Sequence, residues 1–288
     1  LTADFEYNIS NPTWSADSKT IYFITCREAL THLYSYQLSN GKIKQITDGQ
    51  YDYTGFDMND KGVCVASRQA MTYPTELFMV NLKNGKATAL TEEDKPIMSQ
   101  LGDLTCEKRW MPTTDGGKML TWVLYPPHFD KSKQYPSILY CQGGPQSTIS
   151  QFWSYRWNPR IMAEQGYIVI LPNRHGVPGF GKAWNEQISG DYSGQNIRDY
   201  LTAADLMKQE PFIAPDRMGA VGASYGGYSV YYLAGVHEGR FAAFIAHAGI
   251  FNLEAQYLET EEKWFANWDM GGAPWEKDNA TAQRTFAN

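Results

Sequence analysis

The eleven residues from Met218 to Tyr228 constrain this chain more than any other stretch. A short apolar run leads into Gly222-Ala223-Ser224-Tyr225-Gly226, and an apolar helical run follows through Tyr228, Tyr232, Leu233 and Val236. Strand, Gly-x-Ser-x-Gly turn and helix, in that order, are the pattern of a nucleophile elbow. The turn is sharp so that the serine hydroxyl projects from the sheet toward a substrate. Gly222 and Gly226 flank it because a Cβ at either site would crowd the strand–helix crossing. The same turn aims helix-start amides at the reaction centre, where an oxyanion can be held. Gly-x-Ser-x-Gly alone is a weak signal; the flanking strand and helix give it weight. Ser224 is the expected nucleophile.

Composition narrows the function classes. A length of 288 residues has room for about two domains, and 43% hydrophobic against 19% charged residues describes a folded globular chain. A formal net charge of −6 with no Lys/Arg stripe argues against a nucleic-acid groove. Nine Trp, 19 Tyr and 13 Phe suit a protein that binds apolar or peptide ligands. Cys26, Cys64, Cys106 and Cys141 are scattered buried thiols in this reading, with no metal-ligand spacing. No metal or cofactor is expected. No apolar run has membrane-spanning length.

The first third repeats. Asn11 to Phe23 recurs loosely at Tyr53 to Val63, and Leu33 to Lys42 recurs more sharply at Leu77 to Lys86. Trp14 and Phe56 are 42 positions apart, Asn40 and Asn84 44 apart. That period, with alternating strand residues and Asn-Gly pairs, is the signature of β-propeller blades, against the plainer reading of unrelated hairpins. The Asn-Gly pairs predict two-residue turns with positive φ at both central positions. Two blades over residues 1–97 are part of a ring, since a propeller closes with about 4–8. Residues 91–103 read as the linker, with Glu92 and Glu93 as solvated charges.

From residue 98 onward the rhythm is α/β. Strands are expected at Lys118–Tyr125, Ser137–Gln142, Tyr167–Leu171 and Phe241–His247, flanking the elbow. Helices are expected at Pro159–Gln165 and at Gln195–Gln209, the latter with Ile197, Tyr200, Leu201, Ala204 and Met207 on one face. Such alternation builds a mostly parallel sheet flanked by helices, an α/β-hydrolase arrangement over residues 98–288.

Several motifs stand in the order of the prolyl oligopeptidase family of serine peptidases. They are Gln142-Gly143-Gly144-Pro145, Asn173-Arg174-His175-Gly176 with Gly179-Phe180-Gly181, Gly190-Asp191-Tyr192-Ser193-Gly194, Pro215-Asp216-Arg217, and the elbow with Gly227-Tyr228. With the blades upstream, the chain resembles that family over nearly its whole length. Thr260-Glu261-Glu262-Lys263-Trp264-Phe265, followed by Gly271-Gly272, most resembles a dipeptidyl-peptidase branch.

The resemblance implies roles for particular residues. Ser224 attacks the scissile carbonyl, and the Tyr225 amide supplies one oxyanion donor. The Gly144 amide supplies the second, against the alternative that Gly143-Gly144 is only a tight turn. Two readings stay open for Arg174, a substrate contact beyond a strand end or a structural ion pair with Asp191 or Asp199. Asp216 is a turn residue. Where proline-specific relatives place tyrosines, this chain has Gln256 and Thr260, with Phe251, Tyr257 and Trp264 nearby, which implies a roomier apolar pocket. Glu261 and Glu262 are candidates for holding a substrate's free ammonium, against the reading of two exposed charges at a helix end.

In this fold the triad runs Ser, then Asp, then His. After Ser224 the chain offers only His237, expected at the end of the elbow helix, and His247, which comes too early. The expected Asp and His lie beyond Asn288, so the 288 residues alone are expected to be inactive. Three functional readings follow. The first is a serine exopeptidase that releases dipeptides, with an apolar preference at the residue before the cleaved bond. The second is an acylaminoacyl-peptidase or carboxylesterase of the same fold, and the third a non-catalytic binding module. Peptides are the expected partners, a homodimer is left open, and the resemblance implies a periplasmic or secreted location.

Overall fold

The structure is a computed structural model and describes residues 1–287. Two antiparallel four-stranded sheets come first. One is β1 (Ser10–Trp14), β2 (Thr20–Arg27), β3 (Leu30–Gln37) and β4 (Lys42–Gln45). The other is β5 (Asp52–Met58), β6 (Cys64–Ala70), β7 (Tyr73–Val80) and β8 (Ala87–Ala89). Each pairs in sequence order, as propeller blades do. Ile24 and Leu33 of one blade bury against Tyr53, Cys64, Ala66 and Val80 of the other.

The Asn-Gly turns differ from the two-residue form expected. Gln37 pairs with Lys42 and Val80 with Ala87, so the loops hold four and six residues. Only Gly41 (φ 68°) and Gly85 (φ 73°) are left-handed. Asn40 and Asn84 instead accept from the Lys42 and Lys86 amides through their side-chain oxygens, both at 3.0 Å. Asparagine closes the loop with its side chain here, so it does not need positive φ.

A short helix, α1 (Lys95–Met98), interrupts the linker. The division drawn between residues 97 and 98 falls inside it, and the second domain's first strand, β9 (Thr105–Pro112), begins only later. That strand escaped the sequence reading because it is an edge strand whose Glu107, Lys108 and Arg109 blunt the sheet's rim.

The second domain's sheet adds β10 (Lys118–Tyr125), β11 (Tyr135–Cys141), β12 (Ile168–Pro172), β13 (Ile213–Ala223) and β14 (Ala243–His247), in the spatial order β14-β13-β11-β12-β10-β9. The strands β11 to β14 are mutually parallel, and β9 and β10 run against their neighbours. Between them lie α2 (Pro159–Glu164), α3 (Lys182–Glu186), α4 (Gln195–Lys208) and α5 (Tyr225–Val236), and α6 (Leu253–Glu259), α7 (Lys263–Asp269) and α8 (Ala280–Phe286) follow. Covering both faces explains the unbroken apolar run of β12. Ile168 and Ile170 face Ile197, Tyr200, Ala204 and Met207 of α4, while Val169 and Leu171 face Ala163 of α2.

The two domains are joined by specific contacts. Ala29 and Met71 of the blades enter the core on the α2 face of the sheet. Buried Asp52 accepts from the Ser150 hydroxyl at 2.5 Å and from the Thr31 amide at 3.0 Å. Arg160 donates to the carbonyls of Thr72 and Gly102 at 3.0 and 2.6 Å.

Candidate active site

Ser224 sits at the junction of β13 and α5 with φ 57° and ψ −123°, outside the regions an L-residue prefers. The surrounding packing holds it there. Its amide donates to the His247 carbonyl at 3.0 Å, and its carbonyl accepts from Tyr228 at 3.0 Å. A Cβ on Gly226 would overlap the Cys141 carbonyl, and one on Gly222 would lie 2.8 Å from the same oxygen. Gly227 is pressed on Gly249, whose Cα would be 2.6 Å from an added Cβ. Glycine at these positions lets α5 start directly on top of β11 and β14, which leaves Ser224 exposed at the crest.

Tyr225 opens α5, so its N–H is one that the helix leaves without an internal acceptor. Its ring points inward, 1% exposed, and its hydroxyl donates to the Tyr192 carbonyl at 2.7 Å. Burial holds the Tyr225 phenol well above its ordinary pKa.

Residues 142–147 form the facing loop. Gly143 packs on the nucleophile: a Cβ there would be 3.7 Å from the Ser224 Cβ. Gly144 is exposed at φ 114°, a value that favours glycine, and precedes a cis Pro145. The Tyr200 hydroxyl accepts from the Gln142 amide at 3.1 Å, and the Gln142 side chain donates to Ser147 at 3.1 Å. Thus Ser224, Tyr225 and the glycine loop, distant in sequence, stand at the ends of adjacent parallel strands. An exposed hydroxyl beside helix-start and loop amides can support nucleophilic attack with oxyanion stabilisation.

Arg174 is not a substrate contact. It is 0% exposed and donates to the carbonyls of Pro145 (2.8 Å) and His175 (2.9 Å) and to the Tyr200 hydroxyl (3.4 Å). Its guanidinium lies over the Tyr225 ring at 5.0 Å. Nor does it form the ion pair with Asp191 or Asp199 offered as the alternative: neither pair is present among the described residues, and Asp199 is taken by His175 Nδ1 at 2.6 Å. The motif that holds Arg174 was legible; its burial was not.

The expected pocket residues separate. Tyr257 is 6% exposed, in a cluster with Tyr225, Tyr228 and Leu253, and its hydroxyl donates to Asn267 at 3.0 Å. It is a core residue, which corrects its assignment to the substrate. Phe251, 83% exposed, meets Tyr231 edge-on, and Trp264 is 72% exposed on α7. Glu261 and Glu262 are exposed at the start of α7, with Glu262 in the N-cap position. No hydrogen bond or ring contact joins any of these four to Ser224 or Tyr225 among the described residues. Asp216 is exposed near the start of β13, at the end away from Ser224.

Neither histidine after the elbow reaches the nucleophile. His237 accepts from the Phe241 amide at 3.3 Å and packs on Phe244, and the His247 ring packs edge-on against Trp157. Among the described residues no imidazole hydrogen-bonds the Ser224 hydroxyl, and no group of three His, Cys, Asp or Glu could hold a metal. No helix there is long and apolar enough to cross a membrane.

The sequence pattern of the prolyl oligopeptidase family matches residues 153–287, and that of the dipeptidyl peptidase IV (DPP IV) N-terminal region matches residues 4–104. The chain is 74% identical over 268 residues to a dipeptidyl-peptidase 5 of Porphyromonas endodontalis, covering 93% of this chain and 39% of that protein. It is 65% identical over 283 residues to dipeptidyl-peptidase 5 of Porphyromonas gingivalis, covering 98% and 41%. This chain therefore spans about two fifths of the length of the curated relatives it matches. An acylaminoacyl peptidase of Pyrococcus horikoshii superposes with a TM-score of 0.86 at 21% identity, over 99% of this chain and 44% of that one. Dipeptidyl peptidase 4 of Porphyromonas gingivalis gives 0.77 at 18%, over 98% and 40%.

Proposed function

The chain belongs to the prolyl oligopeptidase family, and we propose that the protein built on it is a serine exopeptidase that removes dipeptides from the free amino terminus of peptides. The observation that carries this is the exposed Ser224 held at φ 57° beside the α5 amide of Tyr225 and the Gly143-Gly144 loop. In the proposed cycle, Ser224 Oγ attacks the scissile carbonyl, and the Tyr225 and Gly144 amides hold the oxyanion. The amine leaves, and water releases the dipeptide from the acyl-enzyme. A general base must take the serine proton. The aspartate and histidine that complete the triad are proposed to follow Asn288, a reading supported by the greater length of the relatives.

The 288 residues alone are proposed to be inactive. Loss of the base in a triad costs about 10⁶ in kcat, roughly 8 kcal/mol of transition-state stabilisation. Phe251 and Trp264, exposed and apolar, support an apolar preference beside the cleaved bond, and Glu261 and Glu262 are proposed to hold the substrate ammonium. Charge neutralisation at each glutamate is then expected to cut peptide cleavage while sparing simple esters. A periplasmic or secreted location belongs to the same reading and rests on the family resemblance; cell fractionation tests it.

The deciding experiment is labelling with a fluorophosphonate. It compares these 288 residues, the sequence extended at its C-terminus to the length of the relatives, and Ser224→Ala in that extended protein. Labelling of the extended protein alone supports the reading. Absence of labelling in all three, with each folded, removes it and leaves a binding module; labelling with faster ester than dipeptide turnover points to an esterase.

A further inference from the structure

Asp269 closes α7 and is 1% exposed, yet no Lys, Arg or His forms an ion pair with it among the described residues. A buried carboxylate without a cation is costly unless its lone pairs are filled. Here they are filled by neutral donors. Gln146 Nε2 lies 3.0 Å from both oxygens, Ser189 Oγ donates to Oδ1 at 2.9 Å, and the Tyr192 hydroxyl donates to Oδ2 at 2.7 Å. Burial first, and the Asp269 charge second, hold the Tyr192 phenol far above its ordinary pKa, so it stays a donor.

Ser189 and Tyr192 belong to one loop, and tying that loop to α7 is an ordinary structural task. Gln146 is different: it follows Gly144-Pro145 directly, in the loop that faces Ser224. On the other side of that loop, Arg174 grips the Pro145 carbonyl and lies over the ring of Tyr225. Tyr225 in turn bonds the Tyr192 carbonyl, and the Tyr192 hydroxyl returns to Asp269. The contacts form a closed circuit through both segments whose amides are proposed to hold the oxyanion. One buried cation and one buried anion fix the circuit from opposite sides.

We propose that Asp269 is a positioning residue for acyl transfer, holding the Gly144 amide at its working distance from Ser224 through the Gln146 side chain. This rests on the serine hydrolase reading above. The carboxylate touches no reacting atom. It sets a height, and a misplacement of about 1 Å costs on the order of 10² in rate.

The test uses the full-length protein and four variants: Asp269→Ala, Asp269→Asn, Gln146→Ala and Ser189→Ala. Turnover by the parent protein judges the hydrolase reading, and the ratio of variant to parent judges Asp269. Asp269→Ala and Gln146→Ala are expected to lower kcat about 10- to 100-fold, with KM within twofold and no further loss when combined. Asp269→Asn, which can still pair with a reoriented Gln146 amide, keeps kcat within about tenfold. Ser189→Ala removes a bond to the same carboxylate without touching the loop, so its kcat stays within about twofold. If Asp269→Ala does not fold, Gln146→Ala decides. Parent-like kcat in folded Gln146→Ala, or an equal loss in Ser189→Ala, overturns the proposal.

Discussion

Replacing Asp52 with asparagine should make the protein more stable at neutral pH. Asp52 lies where the blades meet the hydrolase domain, 3% exposed, with donors from Thr31 and Ser150 but no cation among the described residues. Burial outweighs those bonds and raises its carboxyl from an ordinary 3.8 to about 6. A group raised in this way gives stability that is complete below the unfolded value. That stability is lost as pH rises through about 6. A shift of about two units is worth about 3 kcal/mol. Asparagine keeps the shape, can still accept from Thr31, and can donate to Ser150. Asp52→Asn should therefore exceed the parent by up to about 3 kcal/mol above pH 7, with the gap closing below about pH 4. At roughly 2 °C per kcal/mol for a chain of this size, the Tm difference is about 6 °C at most. Thermal melts of both proteins from pH 4 to 8 measure it. A variant less stable than the parent at pH 8, or a gap that does not change with pH, would refute the reasoning.

Three other outcomes follow from the geometry. Gly226→Ala forces a methyl into the Cys141 carbonyl, so urea unfolding should show a loss of about 4 kcal/mol or more. Arg174→Lys cannot serve both Pro145 and His175 from one ammonium; it should lower stability by about 2–3 kcal/mol while leaving unchanged any KM measured on the full-length protein, as a substrate contact would not. Tyr257→Ala should lose about 3–5 kcal/mol as a core truncation, whereas exposed Phe251→Ala should stay within about 0.5 kcal/mol and change KM for apolar peptides.

The elbow was readable because its sequence answers a steric demand that only glycine meets at Gly222 and Gly226. The β12 run was readable because both of its faces are buried, and the blades because their pattern recurs. Residues whose identity fits two environments were not. A tyrosine after the elbow can line a pocket or fill a core, and Tyr257 fills the core. An arginine in a loop can reach out or turn inward, and the Pro145 and His175 carbonyls, with the Tyr200 hydroxyl and the Tyr225 ring, turn Arg174 inward. Asp269 carried no signal at all. Its partners are Gln146, Ser189 and Tyr192, the first of them 123 positions away, and nothing local to α7 marks it. The short α6 and α8 helices owe their starts to Asn252 and Asn279 side-chain caps rather than to periodicity, and α7 has no side-chain cap, too little pattern for a helix to announce itself.

Cys141 ends β11 directly beneath the elbow, with its carbonyl wedged against Gly222 and Gly226 and its thiol fully enclosed. Burial pushes that thiol far above its ordinary pKa, so in the native state it is both shielded and protonated. A soluble alkylating reagent can reach it only when the layer of α4 and α5 parts from β11. The sulfur is thus a clock built into the protein. Its modification rate counts the openings of the helical layer that packs under the elbow, much as amide exchange counts the openings of a hydrogen bond.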